Sequence, residues 1–312
     1  MSTRFDAPAA GDLIRLYVAN TDPEWFSFLS ERQPLDEVNH WQPGGRRQFG
    51  ALKPGELFVF RLRSPVNRIA GYGIFARAAL LPIQFAWSSF GAKNGHPDYE
   101  SFRAAILRLN PGNEGVIGYR ILTEPVFLAQ EQWIEPPADW PLNTVGGKRY
   151  STDTQEGRVL WERLMTPVPK SSPRGLSDPA RMYGEPTLVQ PRLGQGGFRV
   201  SVIQAYDRRC AITGERTLPA LEAAHILPVK LDGLHDVSNG LLLRRDLHAL
   251  FDYHYITVTP DKRILVSKRI KQEFENGREY YAMHGKFIRE PIRVDDRPSA
   301  EALRLHNERF VE

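Results

Sequence analysis

The chain has almost no cysteine: Cys210 is the single one in 312 residues. That excludes an internal disulfide and any multi-cysteine zinc site built within one chain, and it fits a reducing compartment. Long apolar runs are equally lacking. No stretch of about 18 apolar residues occurs, so nothing in the sequence spans a membrane. The opening MSTRFDAPAAGDLIRLYV has no apolar segment long enough for a secretory signal, and the expectation is a soluble, cytoplasmic protein. Net charge is small as well, +4 in all, and it is unevenly placed. Residues 166–312 carry 23 Lys and Arg against 19 Asp and Glu, while residues 1–165 carry 18 of each. So small an excess is commonly a solvated surface. It nevertheless falls on the half that carries the chemistry below, where a polyanionic substrate would favour it.

What is present suffices for two domains with two cores. Between them, residues 165–192 hold six prolines with several Ser and Gly, which makes a semi-rigid, core-poor spacer. The expected organisation is a first domain over 1–165, a Pro-rich linker over 166–192 and a second domain over 193–312.

In the first domain, residues 13–19 predict a strand, followed by a helix capped by Asp22 with Pro23 at its first position. Strands are predicted over 57–62, 68–76, 116–122 and 125–127, and an amphipathic helix over 99–109. The glycines of RIAGYGIFA suggest curvature or close backbone approach. A short helix around 156–164 closes the domain. Short curved strands with two or three helices predict a small barrel-like α+β domain. Aromatics gather at turns and strand ends, and several must simply be core. Trp41 and the pair Trp87 and Phe90 differ, because NHWQPGG and AWSSFGAKNG read as polar, glycine-containing loops. Aromatic faces grouped with Asn side chains suit a flat heterocycle, stacked on its faces and hydrogen-bonded at its edge.

The succession VNHWQPGG, GELFVFRL, IAGYGIF, AWSSFGAKNG, IGYRIL and DWPLNTVGGKRY resembles the EVE-type members of the PUA-like superfamily, over roughly residues 10–165. That resemblance implies a curved β-barrel with flanking helices. Relatives such as SRA and YTH domains hold a flipped, modified base in an aromatic-lined pocket. By the resemblance, Asn39, Trp41, Trp87, Phe90 and Asn94 are the pocket candidates.

The second domain is organised around residues 210–256. ALEAAHIL predicts a short strand with His225 near its end; the loop PVKLDGLHDVSNG leads to the strand LLLR; RRDLHALFDYH begins a helix with Asp246 placed to cap it. On that helix His248 and Asp252 stand four apart, so they share a face and can grip one ion. A lone His at a strand end is more often structural, and an i, i+4 His/Asp pair is usually a surface pair. Together with Asn239 in the loop between them, the balance reverses.

Thirteen residues separate His225 from Asn239 and eight separate Asn239 from His248. This constellation resembles the HNH nuclease motif, in the subgroup reading AAHI, NGLLL and LHxLFD, over roughly residues 190–270. The resemblance implies a ββα-metal fold. It makes His225 the general base, Asn239 the residue that orients His225 or its loop, and His248 the ligand of one divalent cation, Mg2+ or Mn2+. Asp252 would be the second ligand or an outer partner. Many relatives place an Asp or His ligand directly before the base, where this chain has Ala224; Glu222, two residues earlier on the same side of the strand, is the substitute to consider. Many also carry paired CxxC motifs, but CAITG holds only Cys210 and Thr213, so no structural zinc is expected and Cys210 reads as a small buried residue.

Downstream, YITVTPDKRILVSKRI predicts a hairpin whose basic residues Lys262, Arg263, Lys268, Arg269 and Lys271 could track a phosphate backbone or merely protect an edge. SAEALRLHNERFVE predicts a closing helix capped by Ser299. His284 and His306 stand without evident partners.

The two resemblances together imply a type IV-like, modification-dependent endonuclease that cuts double-stranded DNA containing 5-methyl- or 5-hydroxymethylcytosine. One such site cuts one strand, so a homodimer is expected. Three rivals stay open: a nuclease whose first domain reads sequence or structure, a non-catalytic nucleic-acid reader, and an RNA-directed module.

Overall fold

LFVFRL, residues 57–62, is a nearly unbroken apolar run, and its place in the sheet explains why. The computed structural model describes residues 13–44, 48–141, 144, 146–165, 192–228 and 235–312. The chain divides into two compact units, Met1–Arg192 and Leu193–Glu312. Residues 166–191 of the expected linker lie outside the described residues.

The first unit runs β1 (Arg15–Thr21), α1 (Pro23–Ser30), β2 (Glu37–Asn39), β3 (Leu57–Leu62), β4 (Ile69–Pro82), α2 (Ile83–Phe90), α3 (Tyr99–Leu109), β5 (Val116–Phe127), β6 (Gly147–Ser151) and α4 (Gln155–Met165). Its six strands form one sheet in the order β2-β5-β4-β3-β1-β6, with β1 and β3 parallel and the other pairs antiparallel. Both faces of β3 are covered. Phe58 and Phe60 join Trp25, Phe26 and Leu29 of α1, whereas Leu57 and Val59 join Leu160 and Leu164 of α4. A strand packed on both faces loses the polar alternation of a half-solvated one.

The architecture is mixed α+β, and the sheet is open where a closed barrel was expected. Strands β2 and β6 are its edges and do not pair with each other among the described residues. Irregular register between Tyr72 and Ile74 and between Phe75 and Arg77 bends β4 along its length. Close backbone approach in RIAGYGIFA is real at Gly71, where a Cβ would lie 2.2 Å from the Val126 carbonyl oxygen.

Asp22 caps α1 as expected, accepting from the Glu24 N–H at 2.9 Å. Three features differ from the sequence reading. Residues 116–127 form one strand through Pro125 instead of two. The short edge strands β2 and β6 were not anticipated. AWSSFGAKNG is no loop: Trp87 and Phe90 lie on α2, and Asn94 ends the 3-10 turn Gly91–Asn94.

The second unit runs α5 (Gln195–Ala205), β7 (Leu221–His225), a 3-10 turn at Val237–Asn239, β8 (Gly240–Arg244), α6 (Arg245–Asp252), β9 (Ile256–Val258), β10 (Ile264–Val266), α7 (Arg269–Phe274), α8 (Arg278–Tyr281) and α9 (Ala300–Asn307). Strands β7 and β8 pair antiparallel, as do β9 and β10. Helix α5 packs on the first pair so tightly that a Cβ at Gly240 would meet Val202 Cγ2 at 2.5 Å and the Phe198 ring at 3.0 Å. Only glycine leaves room for that crossing.

Ser299 caps α9, accepting from the Ala302 N–H at 3.3 Å. Asp246 does not cap α6. The helix starts one residue earlier, and Asp246 pairs with Arg244 at 2.6 and 3.0 Å from within the first turn. His284 and His306 both have partners. His284 Nδ1 accepts from the Val266 N–H at 3.1 Å, and His306 stacks on Phe251 at 3.8 Å with Thr257 Oγ1 2.8 Å from its Nδ1. No helix among the described residues is long and apolar enough to cross a membrane.

Candidate functional site

Strand β7 ends on His225, and the chain turns there because its next two residues are tied to the far side of the loop. The Ile226 N–H donates to the Asn239 carbonyl at 2.9 Å. The Asn239 side chain then grips Leu227 from both ends: Oδ1 accepts from the Leu227 N–H, and Nδ2 donates to the Leu227 carbonyl, each at 2.9 Å. At 7% exposure, Asn239 points inward and faces backbone. It acts as a clamp on the segment that carries His225.

The His225 ring lies parallel to Phe198 of α5, 3.9 Å between centroids and 9° between planes. Its Nε2 is 3.0 Å from Nδ1 of His235. Burial drives its pKa down to about 4, with further lowering by the His235 and His248 rings. His225 is therefore neutral near pH 7, as an imidazole that accepts a proton must be. His235 was missed in the sequence. The signal available was a third histidine in the loop leading to Asn239.

On α6, His248 is held from both sides. Its Nδ1 is 2.8 Å from Glu222 Oε2, and its Nε2 is 3.4 Å from Asp252 Oδ2. The second Glu222 oxygen, Oε1, meets Arg245 Nε at 3.1 Å. Glu222, the substitute considered for a ligand at position 224, thus bridges His248 and Arg245. It lies behind His248, the position from which a carboxylate fixes the tautomer of a metal-ligating histidine. Ala224 itself is fully buried.

Among the described residues, no three His, Cys, Asp or Glu side chains are grouped to hold a metal ion. His248 Nε2 and Asp252 Oδ2 still suit neighbouring positions on one divalent cation. An N/O donor pair of this kind leaves the remaining positions to water and phosphate oxygens, as magnesium sites commonly do. Cys210 is buried, and its Sγ lies 3.5 Å from the Thr213 N–H.

The basic residues of the hairpin segment are mostly engaged. Lys262 Nζ donates to the Pro298 carbonyl at 2.8 Å, Arg263 pairs with Asp261 at 3.2 Å, and Arg269 pairs with Glu273 at 2.6 Å. Lys268 is exposed.

The first unit holds a cavity of about 260 Å3. Trp41, Pro43 and Leu109 give it apolar walls, and Asp22, His40, Gln42, Arg63 and Arg120 give it polar ones. Arg120 is 7% exposed and pairs with no carboxylate among the described residues. Its guanidinium lies 3.3 Å from His40 Nδ1, bonds Gln42 Oε1 and rests over the Phe49 ring at 4.9 Å. Burial, and then Arg120, hold the His40 pKa well below its ordinary value.

Of the five pocket candidates, only Trp41 lines this cavity. Its Nε1 is pinned to the Asn94 carbonyl at 2.9 Å. Asn39 and Asn94 are fully buried and bond each other at 2.9 Å. Trp87 packs against Tyr99 and Phe102, and Phe90 is core beside Tyr119. Asn39, Phe90 and Asn94 are buried and Trp87 is half-buried, and none of the four lines this cavity.

Comparison with known proteins gives one family. Residues 210–259 match the HNH_2 model, described as HNH endonuclease, so the second unit carries an HNH endonuclease domain and the chain is an endonuclease. No curated protein matches. Among solved structures, ASCH from Zymomonas mobilis is similar at 14% identity and a TM-score of 0.32, covering 47% of this chain and 94% of that one. The structure described as a modification dependent TagI restriction endonuclease is similar at 14% identity and a TM-score of 0.27, covering 90% of this chain and 78% of that one.

Proposed function

We propose that this endonuclease cuts double-stranded DNA containing 5-methyl- or 5-hydroxymethylcytosine, in defence against foreign or phage DNA. In this reading the first unit is a PUA-like reader and the second is a ββα-metal nuclease. One observation carries it: a chain with an HNH domain also has, in its other unit, a single-heterocycle-sized cavity walled by Trp41 and edged by donors and acceptors. A base flipped into such a cavity stacks on the indole and presents its edge to Arg120, Gln42 and Asp22. Stacking and edge hydrogen bonds offset the few kcal/mol that flipping costs.

His225 is the general base. As water oxygen bonds to phosphorus, the neutral imidazole takes the water proton, and the P–O3′ bond breaks to leave a 5′-phosphate and a 3′ oxygen that takes a proton from solvent to become the 3′-hydroxyl. Asn239 holds the backbone that aims His225. His248 and Asp252 are the residues that would hold one divalent cation, Mg2+ or Mn2+, with Glu222 fixing the His248 ring. That ion supplies Lewis-acid charge for the phosphate and the departing oxygen. One site per chain cuts one strand, so double-strand cleavage calls for a homodimer.

The test is cleavage of one DNA sequence made with unmodified, methylated, hydroxymethylated and glucosylated cytosine, in Mg2+ or Mn2+. Selective cutting of a modified form supports the reading. Equal rates on all four sink the modified-base half and leave a sequence- or structure-directed nuclease. His225→Ala should abolish cutting and preserve DNA binding.

A further inference from the structure

Two imidazoles meet edge to edge at the catalytic end of β7, and their chemistry constrains each other. We infer that His235 is a positioning residue that holds His225 in its Nε2–H tautomer, leaving Nδ1 as the atom that takes the proton. The choice of tautomer rests on the nuclease reading; the contact between the two rings does not.

His225 Nε2 and His235 Nδ1 are 3.0 Å apart, a hydrogen-bond distance at which one ring must donate and the other accept. A neutral imidazole has one N–H and one lone pair. If His235 Nδ1 donated, His225 would accept at Nε2 and carry its hydrogen on Nδ1, with no lone pair left to act as a base. If His225 Nε2 donates, His235 accepts with the lone pair of Nδ1, and His225 Nδ1 is ready for a proton. Only the second arrangement survives the reaction. Once His225 is an imidazolium both its nitrogens donate, and the His235 lone pair continues to accept.

The surroundings fix the rest of the ring. Phe198 covers one face at 3.9 Å and 9°, which sets the plane, while the contact with His235 sets rotation within that plane. No hydrogen bond engages His225 Nδ1 among the described residues, which leaves that atom for water. The arrangement parallels the way a second group orients the histidine of a hydrolytic triad, here with an imidazole as the acceptor.

Nitrogen-15 NMR of histidine side chains in the full-length protein reads the tautomer without substrate, with the His225 signals assigned by their loss in H225A. The expected state is Nε2–H in the wild type and in H235N, whose side-chain oxygen can accept in place of Nδ1, and a tautomer mixture in H235A. In cleavage assays H235A should lower kcat by about 10- to 100-fold with KM unchanged. H235N should recover most of that loss. H235D places a carboxylate against the ring and should move the acid limb of the pH profile upward. An Nδ1–H signal in the wild type overturns the inference. So does an H235A protein that cuts at the wild-type rate, or an H235N protein no better than H235A. A wild type with the Nε2–H signal that never cuts DNA sinks the nuclease reading and leaves the ring assignment standing.

Discussion

Replacing Asn239 separates a clamp on the backbone from a contact with substrate. In N239A both Leu227 groups lose their partner, and two hydrogen bonds of 2.9 Å disappear. Each is worth about 0.5–1.5 kcal/mol net, and a group left buried without a partner costs about 1–3 kcal/mol. The loss should be about 2–4 kcal/mol, which for a unit of this size lowers the melting temperature by roughly 10 °C. N239D divides the effect further. Its carboxylate can still accept from the Leu227 N–H, but its second oxygen faces the Leu227 carbonyl. Burial and that carbonyl disfavour the charged form, so the folded-state pKa rises above the unfolded value of about 3.9. The contribution is then fully present below the unfolded pKa and is lost as pH rises through the raised folded value. Calorimetry of the full chain from pH 8 to pH 5 should show N239D gaining on N239A as pH falls, because a protonated carboxyl restores both bonds. The comparison is with N239A because all forms share the cost of charging His225 as pH falls from its ordinary pKa toward about 4. Loss of cleavage in N239A at an unchanged melting temperature would mean that Asn239 touches substrate, and the clamp would be refuted.

Three other outcomes follow from the same geometry. With His225 as the proposed neutral base, its depressed pKa of about 4 should keep cleavage level from neutral pH down to roughly pH 5; an acid limb near 6.5 in a rate–pH profile would contradict this. Trp41→Ala should erase discrimination between modified and plain DNA and leave basal cutting, while Trp87→Ala should leave discrimination intact, as read by paired cleavage assays. Glu222→Gln should raise the divalent-cation concentration that cleavage requires by about 10- to 100-fold in a metal titration, because His248 loses the carboxylate that orients its ring.

The two strands and the helix at Leu221–His225, Gly240–Arg244 and Arg245–Asp252 were legible because each depends on local pattern: short apolar runs and an i, i+4 pair. The caps at Asp22 and Ser299 were legible for the same reason. His235 was not, since its meeting with His225 depends on contacts between residues ten apart that local pattern does not register. Glu222 stood out in the sequence as a substitute ligand, but its pairing with His248 depends on where α6 docks. The cavity was misread in an instructive way. Asn39 and Asn94 looked like hydrogen-bonding groups offered to a ligand, but Asn39 Nδ2 donates to Asn94 Oδ1, and their other side-chain atoms bond the backbone of Ala86, Gly91 and Arg120. Arg120, which faces the cavity, sits in IGYRIL as an ordinary strand arginine, and nothing nearby in sequence announces that it is buried without a carboxylate partner among the described residues.

The parallel stack of Phe198 on His225 bears on where this nuclease can be cut out and moved. Phe198 lies on α5, twelve residues before the segment that matches the family model begins at Cys210. A graft of residues 210–259 alone would carry His225, Asn239 and His248 but leave the His225 ring without the wall that sets its plane. The transplantable unit starts at least as early as Gln195, and any chimera built on a shorter segment should be judged by whether the recipient supplies a ring in that place.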